Sequence, residues 1–398
     1  MNATLALTDA ELRQLVELRR ELHRHPELSW QETRTAARLE RALVELGALD
    51  VRRVAGTGIV ARIAGRERGA PLVAVRGDID ALPITEATRL PYASENPGVM
   101  HACGHDVHAT WTVGAALLLR RAPASGDVLI VLQPAEEVGQ GARAMLESGA
   151  LDDVRAIFGG HVDRRFEVGE VVAQPGALAA STDTFDIELM GSGAHGARPQ
   201  ESADPVVGMA ALVTALQTIV SRRLDPALPG VVTVGTVVAG TAPNIIPDRA
   251  KLTGTIRATT PESRALLTSE LRRLAESVAN SYRLTAHVTL RDGTPPVLNA
   301  PDASAWAQAA VTSVLGAAAV VPLGTVNMGG EDFAYYQERM PGCFMRIGAR
   351  EPGGERTAAH SPQFHAAEGA IAVGATVLAE AARVSSAALF GTEGGRRP

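Results

Sequence analysis

Residues 100–108 read Met-His-Ala-Cys-Gly-His-Asp-Val-His, placing three histidines, a cysteine and an aspartate within nine positions. Glu136 and Glu137 stand side by side after an apolar run, and His161 follows another. Thiolate, imidazole and carboxylate are the donors zinc takes at about 2.0–2.3 Å. Cys103 and His105 come from one loop that opens a helix, Glu137 from a second loop and His161 from a third. A further donor is expected from the far end of the chain, with His360, in His360-Ser361-Pro362, favoured over His365, which is read as a surface residue. Five donors exceed the four of a single zinc. Two divalent metal ions about 3.5–4 Å apart, sharing a ligand and a water, account for the surplus. Thiolate and imidazole suit zinc, with manganese, cobalt or nickel as alternatives.

Glu136 is left for a separate task. With Glu137 on metal, its neighbour can face the water, take its proton and pass it to a leaving amine. That is the chemistry of amide hydrolysis. Asp78 and Asp80, in Arg76-Gly77-Asp78-Ile79-Asp80, are expected to accept hydrogen bonds from metal-bound histidines. His101 and His108 are read as packing or capping residues, and His23 and His25 as cations at a helix end, where the dipole favours them. Cys343, within Cys343-Phe344-Met345, is read as a buried structural thiol.

These residues need strand ends and helix starts to hold them. Thr8 and Glu11 form a capping-box pattern, and a helix runs from there to His25-Pro26. A second helix is expected over 33–46, stopped by Gly47. Strands are expected at 58–63, 71–75, 127–132 and 156–158, with helices at 108–121 and 141–148 between them. Strand–helix alternation predicts an α/β layer fold with a mainly parallel central sheet flanked by helices. Asp78 and Asp80, Glu136 and Glu137, and His161 each follow a strand, where open α/β sheets bind ligands. From Thr182 the pattern changes to strand 184–190, helix 205–220, strands 231–238 and 251–257, helix 261–282 and strand 284–291. That βαββαβ order predicts an inserted ferredoxin-like α+β domain. The division is therefore 1–181, 182–293 and 294–398, the last part returning to the first domain with a helix at 302–315, a strand at 343–347 and a helix at 368–382. The tail, 391–398, is expected to fray.

The chain has 398 residues, more than one ordinary core holds. A net charge of −6 disfavours nucleic acid. With no 18-residue apolar run, no membrane-crossing helix is expected, and the N-terminal residues carry no secretory signal pattern, so a cytoplasmic protein is expected. Two cysteines are too few for a secreted disulfide framework.

The motifs together resemble the co-catalytic zinc aminoacylase and carboxypeptidase family, in its branch of hippurate hydrolases, N-acyl-L-amino-acid amidohydrolases and indoleacetyl-amino-acid hydrolases. The likeness runs through residues 23–29, 76–83, 100–108, 133–137, 160–162, 193–197, 242–248, 328–333 and 360–362. It implies metal ligands at Cys103, His105, Glu137, His161 and His360, with Glu136 as general base. It implies that the insertion is a lid and dimerisation domain, whose His195 polarises the scissile carbonyl, often in the partner subunit's site, while Asn244 and Arg257 hold the substrate. A small amide with a free carboxylate, such as an N-acyl amino acid, is the implied substrate. A dipeptidase or carboxypeptidase on the same two-metal site, or a metal-binding relative without activity, are the rival readings. Three positions depart from the branch: Ala194 stands where Gly is common, Gln200 where His is common and Arg164 where Pro is usual.

Overall fold

A computed structural model describes residues 6–394, and the side chains of 392–394 are not considered. In chain order the helices are α1 (Asp9–Arg24), α2 (Thr33–Leu46), α3 (His105–Arg121), α4 (Gly141–Glu147), α5 (Pro205–Arg222), α6 (Pro261–Ser281), α7 (Pro301–Leu315), α8 (Ala334–Gln337) and α9 (Gly369–Gly394). The strands are β1 (Leu49–Val54), β2 (Gly58–Ile63), β3 (Leu72–Asp78), β4 (Val128–Gln133), β5 (Val154–Glu167), β6 (Val171–Val172), β7 (Gly176–Ala179), β8 (Asp183–Met190), β9 (Ala194–His195), β10 (Gly230–Ala239), β11 (Ile245–Ile246), β12 (Arg249–Ala258), β13 (Thr285–Arg291), β14 (Val297–Asn299) and β15 (Gly342–Arg350).

The chain forms two compact units. The first comprises residues 1–176, 298–325 and 332–398, and the second 177–297 and 326–331. The first is built on a seven-stranded sheet in the order β1-β2-β4-β3-β5-β15-β6. The four strands β4, β3, β5 and β15 run parallel, and β2, β1 and β6 attach antiparallel at the two sides. β4 is buried along its whole length, as a strand covered on both faces must be. α3 is buried nearly all round, with Trp111 fully enclosed, which suits a helix surrounded by core rather than one lying on it.

The second unit carries a four-stranded antiparallel sheet in the order β10-β12-β8-β13. Numbered along the unit, that is the 4-1-3-2 order of a βαββαβ motif. α5 and α6 pack against one face, where Phe185, Ile187, Leu212, Leu216, Leu252 and Leu271 form a core of their own. Asp204 and Thr260 cap these two helices, each followed by a proline at the first helical position.

Several details differ from the sequence expectations. β1 lacks a clean alternating pattern and emerges through its pairing with β2. α3 starts at His105, three residues earlier than the periodicity indicates, because Gly104 takes φ +91° and turns the chain into the helix. α9 runs to Gly394, so residues 391–394 of the tail expected to fray are helical; the remaining four lie outside the described residues. Two helical segments, Pro205–Arg222 and Gly369–Gly391, are long and apolar enough to cross a membrane by length and composition. Scattered Thr, Gln and Ser break the continuous apolar run without lowering the average far. The second is 61% buried in its own core, the first 33%.

Candidate metal centre

The donors gather at the carboxyl ends of the parallel strands, each held by a local device. Gly104 cannot carry a side chain, since an added Cβ would lie 2.5 Å from Val162 Cγ2. It brings Cys103 and His105 close against β5. Ala135 takes φ +52°, a left-handed conformation unusual for a residue with a side chain, and its N–H donates to Glu32 at 2.9 Å. This turn aims Glu136 and Glu137 back over the sheet. His360 also sits at positive φ, +65°, with its N–H on the Ala102 carbonyl at 2.8 Å.

Five of the expected site residues converge, and Glu136 joins them. Cys103 Sγ lies 3.2 Å from His161 Nε2. His105 Nε2 is 3.7 Å from Glu137 Oε1 and 3.9 Å from Glu136 Oε2. His360 Nε2 is 3.5 Å from Glu137 Oε2. Two sets of potential ligand atoms, Cys103/His105/His161 and Cys103/Glu137/His360, are each mutually within 4.8 Å, and they share the cysteine.

A divalent cation fits this arrangement. His105 Nε2 and Glu137 Oε1 are buried, face each other and have no hydrogen-bond partner. Leaving both bare costs free energy that a bound cation would recover. Protons occupy the place of that charge. Burial pushes Glu137 up to about 7, with Asp80 adding to the rise against the pull of His105. Burial, and then Glu137, push the Cys103 thiol well above its ordinary range. Burial, then His108, hold His161 well below its ordinary value, so its imidazole is neutral. Burial opposes charge on His105, but Asp78 and Asp80 outweigh it and raise that residue well above its ordinary value.

The supporting residues divide their work more finely than expected. Asp80 is the partner of His105: Oδ1 takes Nδ1 at 3.2 Å, while Oδ2 accepts from Ser29 Oγ at 2.7 Å and from the Glu137 N–H at 3.0 Å. Asp78 instead serves His108, whose Nδ1 lies 2.6 Å from Asp78 Oδ1 and whose Nε2 accepts the Val162 N–H at 3.0 Å. His108 therefore ties α3 to the end of β5 beside His161, and it stacks on Trp111. His161 Nδ1 bonds its neighbour's carbonyl, Val162 O, at 2.7 Å, which makes Nε2, facing Cys103 Sγ, the lone-pair nitrogen.

A fully buried arginine lies beneath this layer. Arg76 donates to Gln133, Asp78 and Asp332, and Asp332 also accepts from Gln133 and the Ala142 N–H. The Asp332 N–H points at Glu136 Oε1, 3.3 Å away. Arg76 and Asp332 were inside the family-like motifs, but their types alone gave no reason to link residues 256 positions apart.

Two histidine readings, those of His23 and His365, are corrected, and His101 is the packing residue expected. His23 is not a dipole-stabilised surface cation: it is buried between Asp106, at 2.9 Å, and Glu86, at 3.2 Å. His101 is buried with neither ring nitrogen hydrogen-bonded, and burial lowers it to about 4. His365 is only part-exposed and faces Glu351 at 3.6 Å. Cys343 is buried and free, and burial raises its thiol to about 12.

In the second unit, His195 lies on β9, paired with β11. Its Nδ1 accepts the Ala197 N–H at 3.1 Å, so the neutral ring carries its hydrogen on Nε2. His195, Ile246 and Arg249 line a cleft of about 650 Å³. Asn244 braces the same loop, its carbonyl taking the Gly196 N–H at 2.8 Å. Arg257 is not brought there. It lies eight residues beyond Arg249 on β12, roughly 27 Å along an extended strand.

A mixed sheet with convergent Cys, His and Glu donors at its strand ends, joined to a separate antiparallel α+β unit, defines a hydrolase of the metal-dependent class. The profile of Peptidase family M20/M25/M40 matches residues 74–384, and the chain belongs to that family. It is 42% identical to N-acetylcysteine deacetylase of Bacillus subtilis, over 92% of this chain and 96% of that one. It is 38% identical to IAA-amino acid hydrolase ILR1-like 2 of Arabidopsis thaliana, over 92% and 84%. Among solved structures it resembles the Bacillus subtilis YxeP protein, a dinuclear metal-binding peptidase of the M20 family, with TM-score 0.84, 36% identity and coverage of 95% and 99%.

Proposed function

We propose that the chain hydrolyses the amide bond of N-acyl amino acids, releasing a carboxylic acid and an amino acid. The observation that carries this is the pair of donor sets, Cys103/His105/His161 and Cys103/Glu137/His360, that share Cys103, with Glu136 beside them. Relatives named for N-acetylcysteine and for IAA-amino acids support the substrate class. Cys103, His105, Glu137, His161 and His360 would hold two divalent ions, zinc by donor chemistry or manganese, cobalt or nickel by supply. When bound, those ions supply polarisation of the carbonyl and acidify water.

The chain's own residues do the rest. Glu136 takes a proton from the attacking water and returns it to the departing amine. The Asp332 N–H holds one oxygen of that carboxylate and so orients it. His195, with hydrogen on Nε2, donates to the carbonyl oxygen as charge develops there. Asn244 and Arg257 bind the substrate, the Arg257 guanidinium donating to the substrate's carboxylate.

A homodimer fits this assignment. His195 and Arg257 lie too far apart within one unit to meet one small substrate, so two copies would each supply one of them. β10 forms an outer edge of its sheet and exposes Val237 and Val238, which suits pairing with a second copy. The reading extends to a cytoplasmic enzyme without nucleic-acid or membrane partners. The test is a hydrolysis screen of N-acyl amino acids beside dipeptides, with zinc, manganese, cobalt or nickel returned to metal-free protein. Turnover of N-acyl amino acids is expected; turnover of dipeptides alone, or silence across the panel with every metal, overturns it. Val238→Lys is expected to convert a dimer to a monomer in sedimentation.

A further inference from the structure

Arg164 stands three residues past His161 on β5, and it is 4% exposed. Its guanidinium is not directed at the metal centre. Nη1 donates to the carbonyls of Ala349 at 3.2 Å and His365 at 2.9 Å and to Glu351 Oε2 at 3.2 Å, and Nη2 donates to the Glu355 carbonyl at 2.6 Å. These acceptors lie on both limbs of the loop that leaves β15 and returns toward α9. The Ala367 N–H closes its base on the Ala349 carbonyl at 2.9 Å. His360 is carried by this loop.

The His360 side chain is 53% exposed, so little packing holds its ring in place. Its direction must come from the backbone. Near the residue itself the backbone is anchored by the Ala102 carbonyl on one side and by the Pro362 carbonyl, which accepts the Ala87 N–H, on the other. The two limbs need a further tie, and one planar fork supplies it to three carbonyls at once. A lysine, with one compact head, does not match that geometry. A proline, usual at this position in the resembling branch, has no donor to offer.

We propose that Arg164 is a positioning residue for His360, fixing the loop so that the imidazole meets Glu137 and completes one of the two metal sites. This rests on the reading of His360 as a donor. Metal-ligand supports of this kind commonly change affinity by about 10–100-fold when removed. The effect should fall on one ion, since His360 belongs to only one of the two donor sets that share Cys103.

Cobalt(II) titration of the metal-free protein, followed by visible absorption and calorimetry, separates the cases. In Arg164→Met, which keeps the aliphatic stem, the ion that His360→Ala weakens is expected to bind about 10–100-fold more weakly, with the other within twofold of the native protein. Hydrogen exchange over 351–359 should quicken. Arg164→Lys should fall between, and Glu351→Gln should stay near native, because three of the four acceptors are carbonyls. If His360→Ala binds both ions as the native protein does, the donor assignment of His360 fails and the role of Arg164 with it. If His360→Ala loses an ion and Arg164→Met loses none, Arg164 alone is refuted. Should Arg164→Met not fold, Arg164→Lys decides: selective weakening of that ion supports the proposal, and equal weakening of both overturns it.

Discussion

Replacing Asp80 by Asn tests whether a single carboxylate sets the hydrogen of His105. The change is nearly isosteric at a site 1% exposed, so no solvent can repair it. Asp80 accepts three hydrogen bonds: from Ser29, from the Glu137 N–H and from His105 Nδ1. An Asn offers one acceptor oxygen and an NH₂. If the oxygen keeps Ser29 and Glu137, the NH₂ meets His105 Nδ1–H, donor against donor. The ring can relieve that clash only by moving its hydrogen to Nε2, the nitrogen that faces Glu137. If the amide flips, the NH₂ meets the Glu137 N–H instead. Either way one charge-assisted bond is lost, about 1.5–3 kcal/mol. At 1.4 kcal/mol per tenfold, that is a fall of roughly 10–150-fold in the affinity of the ion at His105. Calorimetric titration of metal into the metal-free variant measures it, with Ser29→Ala as the control that removes one neutral donor. Affinity within twofold of native in a folded Asp80→Asn protein would falsify the assignment.

Other outcomes follow from the same geometry. Glu136→Gln should keep both metal affinities and lose about 10²–10⁴ in kcat, read by steady-state assay on metal-replete protein; activity within a few-fold of native removes the general base. His195→Ala should leave metal binding intact and lower kcat by about 10²–10³, and an unchanged rate sinks the carbonyl-polarising role. His23 gives a pH test away from the donors: burial opposes its charge, but Asp106 and Glu86 outweigh it and raise its pKa. A raised folded pKa contributes stability that is full below about 6.5 and lost as pH rises through the folded value. Urea unfolding of metal-free protein from pH 5.5 to 9 should therefore show a stability difference between native and His23→Gln that shrinks as pH rises; a constant difference contradicts it.

The candidate metal centre was legible because its residues are rare types placed after apolar runs. Cys103, His105, Glu137 and His161 announce donor chemistry wherever the fold puts them, and buried β-strands such as β4 show as unbroken apolar stretches. The supports were less legible. Nothing local in Arg76 or Asp332 indicates that they meet, since their link is made by parallel strands and a returning segment. His108 and His161 look alike in sequence, yet one is sealed by Asp78 and the Val162 N–H while the other turns its Nε2 toward Cys103 Sγ. His23 sits at a helix end that suits a solvated cation, and only the approach of Asp106 and Glu86 turns it into a buried ion pair.

The chain by itself determined the inventory of candidate donors, the alternation of strands and helices, and the βαββαβ order of the second unit, because residue type and short-range periodicity fix these. Tertiary structure alone decided which donors share Cys103, which aspartate serves which histidine, and that Arg164 binds the loop of His360 rather than a substrate. Those outcomes depend on distances between segments far apart in the chain, set by strand register and by the positive-φ turns at Gly104, Ala135 and His360.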